Sequence, residues 1–247
     1  MVPDGIVKIM FGFGEPVSMV DAVDPRRRCD AASLVNALRT TAVIGQHSGL
    51  LHGVTALLTP LAAYRVFSVP APQWTDEPVD PVAFLGREGR FLTERLAECS
   101  GWDQRFALLD AVFVARFSKG RTCGPDLVHA WRKLHRTAGR ARVEELAADC
   151  CCSRRHLERR FRECVGLSPK AMAQILRLQS ALQLRQGGLR WAQVAAETGY
   201  YDQAHFDHVF RSMIGCTPSR FHAHRTTAFS GDPLDFLPGR VTSVLLP

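Results

Sequence analysis

The stretch LAADCCCSRRHLERRFRECVGLSP, residues 146–169, has a near-copy in VAAETGYYDQAHFDHVFRSMIGCTP, residues 194–218. With an offset of 49, His156 falls on His205, Phe161 on Phe210, Arg162 on Arg211, Gly166 on Gly215 and Pro169 on Pro218. Leu157 meets Phe206, Glu158 meets Asp207, and Ser168 meets Thr217. Upstream the offset is 48, so Ala147 falls on Ala195. A one-residue difference is easily absorbed in a turn between two helices. The chain therefore repeats one supersecondary unit, and two copies are too few for a solenoid.

Each copy predicts a helix after its turn. In the first, Leu157, Phe161 and Cys164 share one apolar face, and Ser153 is placed as N-cap. Arg155, Glu158, Arg159 and Arg162 share another face. In the second, Phe206, Phe210 and Met213 point inward, Ala204, Asp207, His208 and Arg211 point outward, and Asp202 is the expected N-cap. A short helix with one buried face and one long-armed basic face suits the major groove of DNA, about 12 Å wide. There arginine donates to guanine edges and a carboxylate accepts from cytosine. A single charged face would be ordinary solvated surface. Two copies, each followed by glycine and a Ser-Pro or Thr-Pro helix restart, argue for DNA.

These residues spell A-x-x-x-[turn]-S-x-x-x-L-x-R-x-F-x-x-x-x-G-x-S-P, then a linking helix, then A-x-x-x-G-Y-x-D-x-x-x-F-x-x-x-F-R-x-x-x-G-x-T-P. The pattern resembles the DNA-binding half of the AraC/XylS-type bacterial transcription regulators and covers residues 125–225. The resemblance implies an all-α domain of two helix–turn–helix units. Combined with the outward register, it implies DNA contacts from Ser153, Arg154, Arg155, His156, Glu158 and Arg159 in the first unit and from Gln203, Ala204, His205 and His208 in the second. His156 is read as a phosphate or backbone contact, with packing as its alternative. His208 stands where the family often has arginine. Histidine can be neutral near pH 7, so a contact there is weaker or pH-dependent.

The charge is distributed to match. The chain carries a formal net charge of +7. Residues 1–124 hold 13 Lys+Arg against 13 Asp+Glu, whereas residues 125–225 hold 17 against 9. The excess is confined to the repeat half, the footprint of a polyanionic partner. The 247 residues suit two modest domains, and 46% hydrophobic content is enough to build real cores. No signal-peptide pattern and no apolar run of membrane-spanning length is read, so a cytoplasmic chain with reduced thiols is expected. Adjacent Cys150, Cys151 and Cys152 cannot all face one ion, and no CxxC accompanies them. They are expected to pack the turn as small residues.

The first half predicts strands, then helices. Ile6 to Phe11 favours a strand, and Gly14-Glu15-Pro16 a turn. A strand this buried, this early, suggests that related proteins have sequence upstream. Asp21 to Asp30 reads as a polar loop, with Arg26, Arg27 and Arg28 at a solvated tip. Ser33–Thr41, Ala42–Gln46 and Leu50–Leu58 read as strands of a small barrel or sandwich. His47 and His52 could be imagined as metal ligands, but no acidic residue lies between Asp30 and Asp76. Leu61–Val69 fits a helix or a strand. From Val82 the period turns helical, and Trp102, Phe106, Leu109 and Phe113 form an amphipathic stripe suited to core or to a dimer face. The order of elements resembles the cupin-like effector halves of the same regulators.

The expected class is α+β. Residues 1–118 form a β-rich, cupin-like effector or dimerisation domain with a helical segment. Residues 119–124 link it to the double helix–turn–helix domain at 125–225, and 226–247 form an irregular tail. Pro169–Arg185 is expected as a buried helix spacing the two units, whose reading helices must lie roughly 34 Å apart to enter successive grooves. The function expected is sequence-specific transcription regulation under a small-molecule effector. Double-stranded DNA is the partner, RNA polymerase and a homodimer are compatible with it, and no membrane is involved. No catalytic set, metal or cofactor is read, so no enzymatic activity is expected. The alternative is a DNA-binding protein whose N-terminal domain is catalytic or senses thiol redox state.

Overall fold

The structure is a computed structural model that describes residues 1–47, 51–75 and 78–227. Apolar alternation in the first half produces two antiparallel sheets. β1 (Val7–Gly12) is central to one, flanked by β4 (Leu34–Asn36) and β6 (Gly53–Leu58). β2 (Val17–Asp21) is central to the other, flanked by β3 (Arg28–Ala31) and β5 (Val43–Gln46). The register pairs Ile9 with Val35 and Met10 with Leu34. The two faces of β1 therefore serve different cores. Val7, Ile9 and Phe11 join the large core with the helices, while Met10 and Leu34 meet Val17, Met19 and Val43 of the second sheet.

β3 corrects the expected loop, which shrinks to the turn between β2 and β3. β3 hid in the sequence because it is a half-exposed edge strand containing Arg28 and Asp30, with no apolar alternation to betray it. Ser33–Thr41 is likewise a strand only over Leu34–Asn36. Leu61–Val69 resolves as helix α1 (Pro60–Phe67), capped by Thr59 and opened by Pro60.

The helices α2 (Val82–Leu85), α3 (Arg87–Glu98) and α4 (Trp102–Lys119) follow. α4 buries only half of its expected stripe: Leu109 is buried and Phe113 packs against the core, whereas Trp102 and Phe106 are 47% and 50% exposed. Arg105 joins Leu109 on the inward face. Arg105 donates to the carbonyls of Leu96 and Cys99, closing the end of α3.

The repeat half is α5 (Pro125–Arg136), α6 (Val143–Asp149), α7 (Arg154–Val165), α8 (Pro169–Gln186), α9 (Trp191–Glu197), α10 (Gln203–Ile214) and α11 (Pro218–Thr227). The fold is thus α+β, strands first and helices after. The run 228–247, most of the segment expected as an irregular tail, lies outside the described residues. No described helix is long and apolar enough to cross a membrane.

The cysteine run packs its turn as expected. The Cys150 thiol donates to the Asp126 carbonyl at 3.2 Å, and Cys150 and Cys152 rest on the core. Cys151 takes φ +48°, the left-handed conformation, at the position that Gly199 occupies in the second turn with φ +76°. A Cβ there costs about 1–2 kcal/mol, which glycine avoids at some cost in unfolded-chain entropy. Cys151→Gly is therefore expected to raise stability by about 0.5–1 kcal/mol. A melting temperature that stays level or falls would show that the turn is not strained.

The first half bears on all three principal helices of the second. At α7, the Tyr64 hydroxyl donates to Glu163 at 3.4 Å, and Gly166 lies so close to Thr75 that a Cβ would come within 2.0 Å of it. At α8, Gln179 donates to the Pro3 carbonyl at 2.7 Å. At α10, the Ala42 amide donates to the Met213 carbonyl at 2.7 Å, and a Cβ on Gly215 would sit 2.5 Å from the Ala22 carbonyl oxygen.

Candidate nucleic-acid interface

The two units are built alike from their sequences. The leading helices α6 and α9 begin with the amides of Arg142 and Arg190 donating to Glu145 and Gln193 three residues on. The second helices of the units, α7 and α10, begin at Ser153 and Asp202, which accept from the amides of His156 and His205 at 3.2 and 2.7 Å. Both end at a left-handed glycine, Gly166 and Gly215. Leu157, Phe161 and Cys164 are buried in the first unit, and Phe206, Phe210 and Met213 in the second. This burial decides which faces remain outside. Between the units, α8 buries Met172, Ile175, Leu176, Leu178, Ala181 and Leu182, so it is clamped on most of its circumference.

On α7, Arg155, Arg159 and Arg162 are exposed. Arg154 is exposed too, but its guanidinium is shared between Glu144 at 2.7 Å and Glu158 at 2.9 Å. Glu158 is half-buried and already accepts from Arg154, which leaves it less carboxylate to offer a base. His156 is half-buried, its Nδ1 3.4 Å from the Arg159 guanidinium. Ser153 is exposed, with its hydroxyl serving the helix cap. On α10, Gln203, Ala204, His205 and His208 are all exposed, and His205 meets the edge of Tyr200 at 5.6 Å. The first face is therefore cationic and the second nearly neutral.

Two exposed residues were not anticipated. Tyr201, in the turn before α10, is 92% exposed. Arg140, in the turn before α6, lays its Cγ 3.7 Å from where a Cβ on Gly199 would be. The GYYD tetrapeptide held a clue, because two adjacent tyrosines leaving a turn rarely point the same way. Arg140 carried no sequence signal, since its place beside the second turn depends on how α5 and α8 pack.

Outside this surface the chemistry is plain. His52 packs edge-on against Phe13 and Trp102 at 5.4 and 6.3 Å. Among the described residues no three His, Cys, Asp or Glu gather in a way that could hold a metal. Burial pushes the Cys29 and Cys150 thiols up, which keeps them protonated and weakly nucleophilic.

Residues 146–224 match the helix-turn-helix domain family. An uncharacterised HTH-type transcriptional regulator of Haemophilus influenzae is 35% identical over 80 residues, 32% of this chain and 27% of that relative. The match thus spans about a quarter of that relative's length. Among solved structures, ToxT from Vibrio cholerae O395 aligns over 89% of this chain and 88% of its own, at 13% identity and a TM-score of 0.46. ToxT of Vibrio cholerae with bound unsaturated fatty acid aligns over 90% and 87%, at 13% identity and a TM-score of 0.47.

Proposed function

We propose that this chain, whose residues 146–224 match the helix-turn-helix domain family, is a sequence-specific transcription regulator of the AraC/XylS type that grips double-stranded DNA with both units. The observation that carries this reading is the pair of reading helices. They are capped, buried and terminated alike, and each presents its outer face to solvent. Arg155 and Arg159 read bases from α7, helped by Glu158. Ser153, Arg154 and His156 hold phosphates beside them. Gln203, Ala204, His205 and His208 fill the same roles on α10. The first unit supplies most of the charge-driven affinity, and the second is more tolerant of sequence.

Residues 125–225 do the reading, residues 119–124 join the halves, and residues 1–118 hold a small-molecule effector. The contacts of the first half with α7, α8 and α10 support this division, because a ligand that shifts either sheet would also shift the units. The setting is the cytoplasm, where RNA polymerase is within reach, and no catalysis is required.

The test is selection of duplexes from a random pool by the full chain, since the first half covers parts of α7, α8 and α10. Recovery of one motif with two half-sites about one helical turn apart supports the reading. Random recovered sequence overturns it.

A homodimer through α4 completes this reading. Its outer side carries Trp102, Phe106 and Val114, at 47%, 50% and 67% exposure. Exposed Asp103 lies at its start, exposed Asp110 at its middle and exposed Lys119 at its end. An antiparallel partner helix would cover the apolar residues and set Asp103 against Lys119. Phe106→Glu is expected to convert a dimer to monomer in sedimentation, with the melting temperature of the monomer unchanged. A wild-type chain that sediments as a monomer throughout the micromolar range overturns the dimer.

A further inference from the structure

The turn of the second unit carries two surface groups from different parts of the chain. Tyr200 is buried and has the Arg177 guanidinium 5.2 Å from its ring centre. Its neighbour Tyr201 points the other way and is 92% exposed. Tyr201 immediately precedes Asp202, whose carboxylate is committed to capping α10. Exposed Arg140, in the turn between α5 and α6, reaches the same turn, its Cγ 3.7 Å from where a Cβ on Gly199 would be. The first unit has nothing comparable: the residue before its cap is the half-buried thiol of Cys152.

We propose that Tyr201 and Arg140 together hold the sugar-phosphate backbone at the edge of the groove entered by α10, with the Tyr201 hydroxyl donating to a phosphate oxygen. The proposal rests on the DNA-binding reading above and adds a clamp to its less charged unit. Tyr201 stands outside the helix, one residue ahead of the cap, while the positions facing base edges belong to Gln203, Ala204 and His208. Tyrosine hydroxyls and arginine guanidinium groups are common phosphate partners, and such contacts set position without reading sequence. The clamp would compensate for the second unit's lack of outward arginines in its first two turns.

The experiment measures affinity of the full chain for a duplex enriched by selection with the wild type, at several salt concentrations and against single-base variants of that duplex. Tyr201→Phe is expected to bind about tenfold more weakly and Tyr201→Ala about twentyfold, because a hydrogen bond to a charged oxygen is lost. Base preference should be unchanged in both. Arg140→Ala is expected to lower the slope of log affinity against log salt by about 0.9, as one phosphate contact is removed. Tyr201→Phe should leave that slope alone.

Full affinity in Tyr201→Phe overturns the hydroxyl contact. Relaxed preference at one base pair in the Tyr201 variants overturns the phosphate assignment. An unchanged salt slope in Arg140→Ala removes Arg140 from the clamp. Arg159→Ala run alongside separates the two levels of the argument. If it weakens binding while the Tyr201 variants do not, only the clamp fails. If it too binds fully, the reading of the interface itself fails.

Discussion

Replacing Arg155 and Arg159 together with alanine is expected to weaken binding to the selected duplex by about 3 kcal/mol, more than a hundredfold. Each arginine that pairs bidentately with a guanine edge is worth about 1–3 kcal/mol of discrimination. The two lie one turn apart on α7, so their losses will not add fully. Both are exposed, and neither appears in an ion pair among the described residues. Their removal relieves like-charge repulsion and should leave the melting temperature unchanged or slightly raised. Arg154→Ala is the useful contrast. That side chain is shared by Glu144 and Glu158, so its loss should cost less affinity and free the Glu158 carboxylate. Binding by the double variant at wild-type strength and specificity would take the outer face of α7 out of the groove.

Asp21→Ala is expected to cost about 3–4 kcal/mol of stability near neutral pH, because it strands a buried cation and several donors. The Asp21 side chain is 1% exposed. It accepts from the amides of Val23 and Asp24 at 2.9 and 3.0 Å, from Arg39 at 2.8 Å, and from the Thr41 hydroxyl. Burial alone would raise its pKa. The hydrogen bonds from Thr41, the loop amides and Arg39 outweigh that and hold it at about 2. A carboxyl depressed in the folded state contributes stability above its unfolded pKa and loses it as pH falls through the folded one. The wild type should therefore give up about 2 kcal/mol between about pH 5 and pH 2. Urea titrations across that range should show a shallower fall for Asp21→Asn, and parallel curves would refute the assignment.

The damage should reach function as well. Asp21 organises the turn whose next residue, Ala22, hydrogen-bonds Ala42 and abuts Gly215, while Ala42 bonds Met213. A loosened turn frees the end of α10, so a folded Asp21 variant should lose affinity mainly at the half-site of the second unit.

Much of the interface was legible before any coordinates. The caps Ser153 and Asp202, the buried faces of α7 and α10, and the apolar spacer α8 follow from side-chain period and capping chemistry, both set by backbone within a few residues. Charge confined to the repeat half pointed the same way. β3 was missed because an edge strand with charged residues carries no periodic signal. Of the α4 stripe, Leu109 and Phe113 face the core as their period implies, while Trp102 and Phe106 stay outside beside Arg105, which is turned in to the carbonyls of Leu96 and Cys99.

The repeat by itself determined that two like helices exist and which residues each turns outward, because a helix's inner face is written into its own period. Tertiary structure decided which of those outward residues are committed elsewhere. Arg154 and Glu158 are tied to each other and to Glu144 through a contact spanning α6 and α7. It also decided that Arg140 stands beside Gly199 in the turn before Tyr201, and that the first half bears on α7, α8 and α10 together. The contacts of Arg140 and of the first half join residues far apart in the chain. They follow from how packed surfaces fit, which no local pattern encodes.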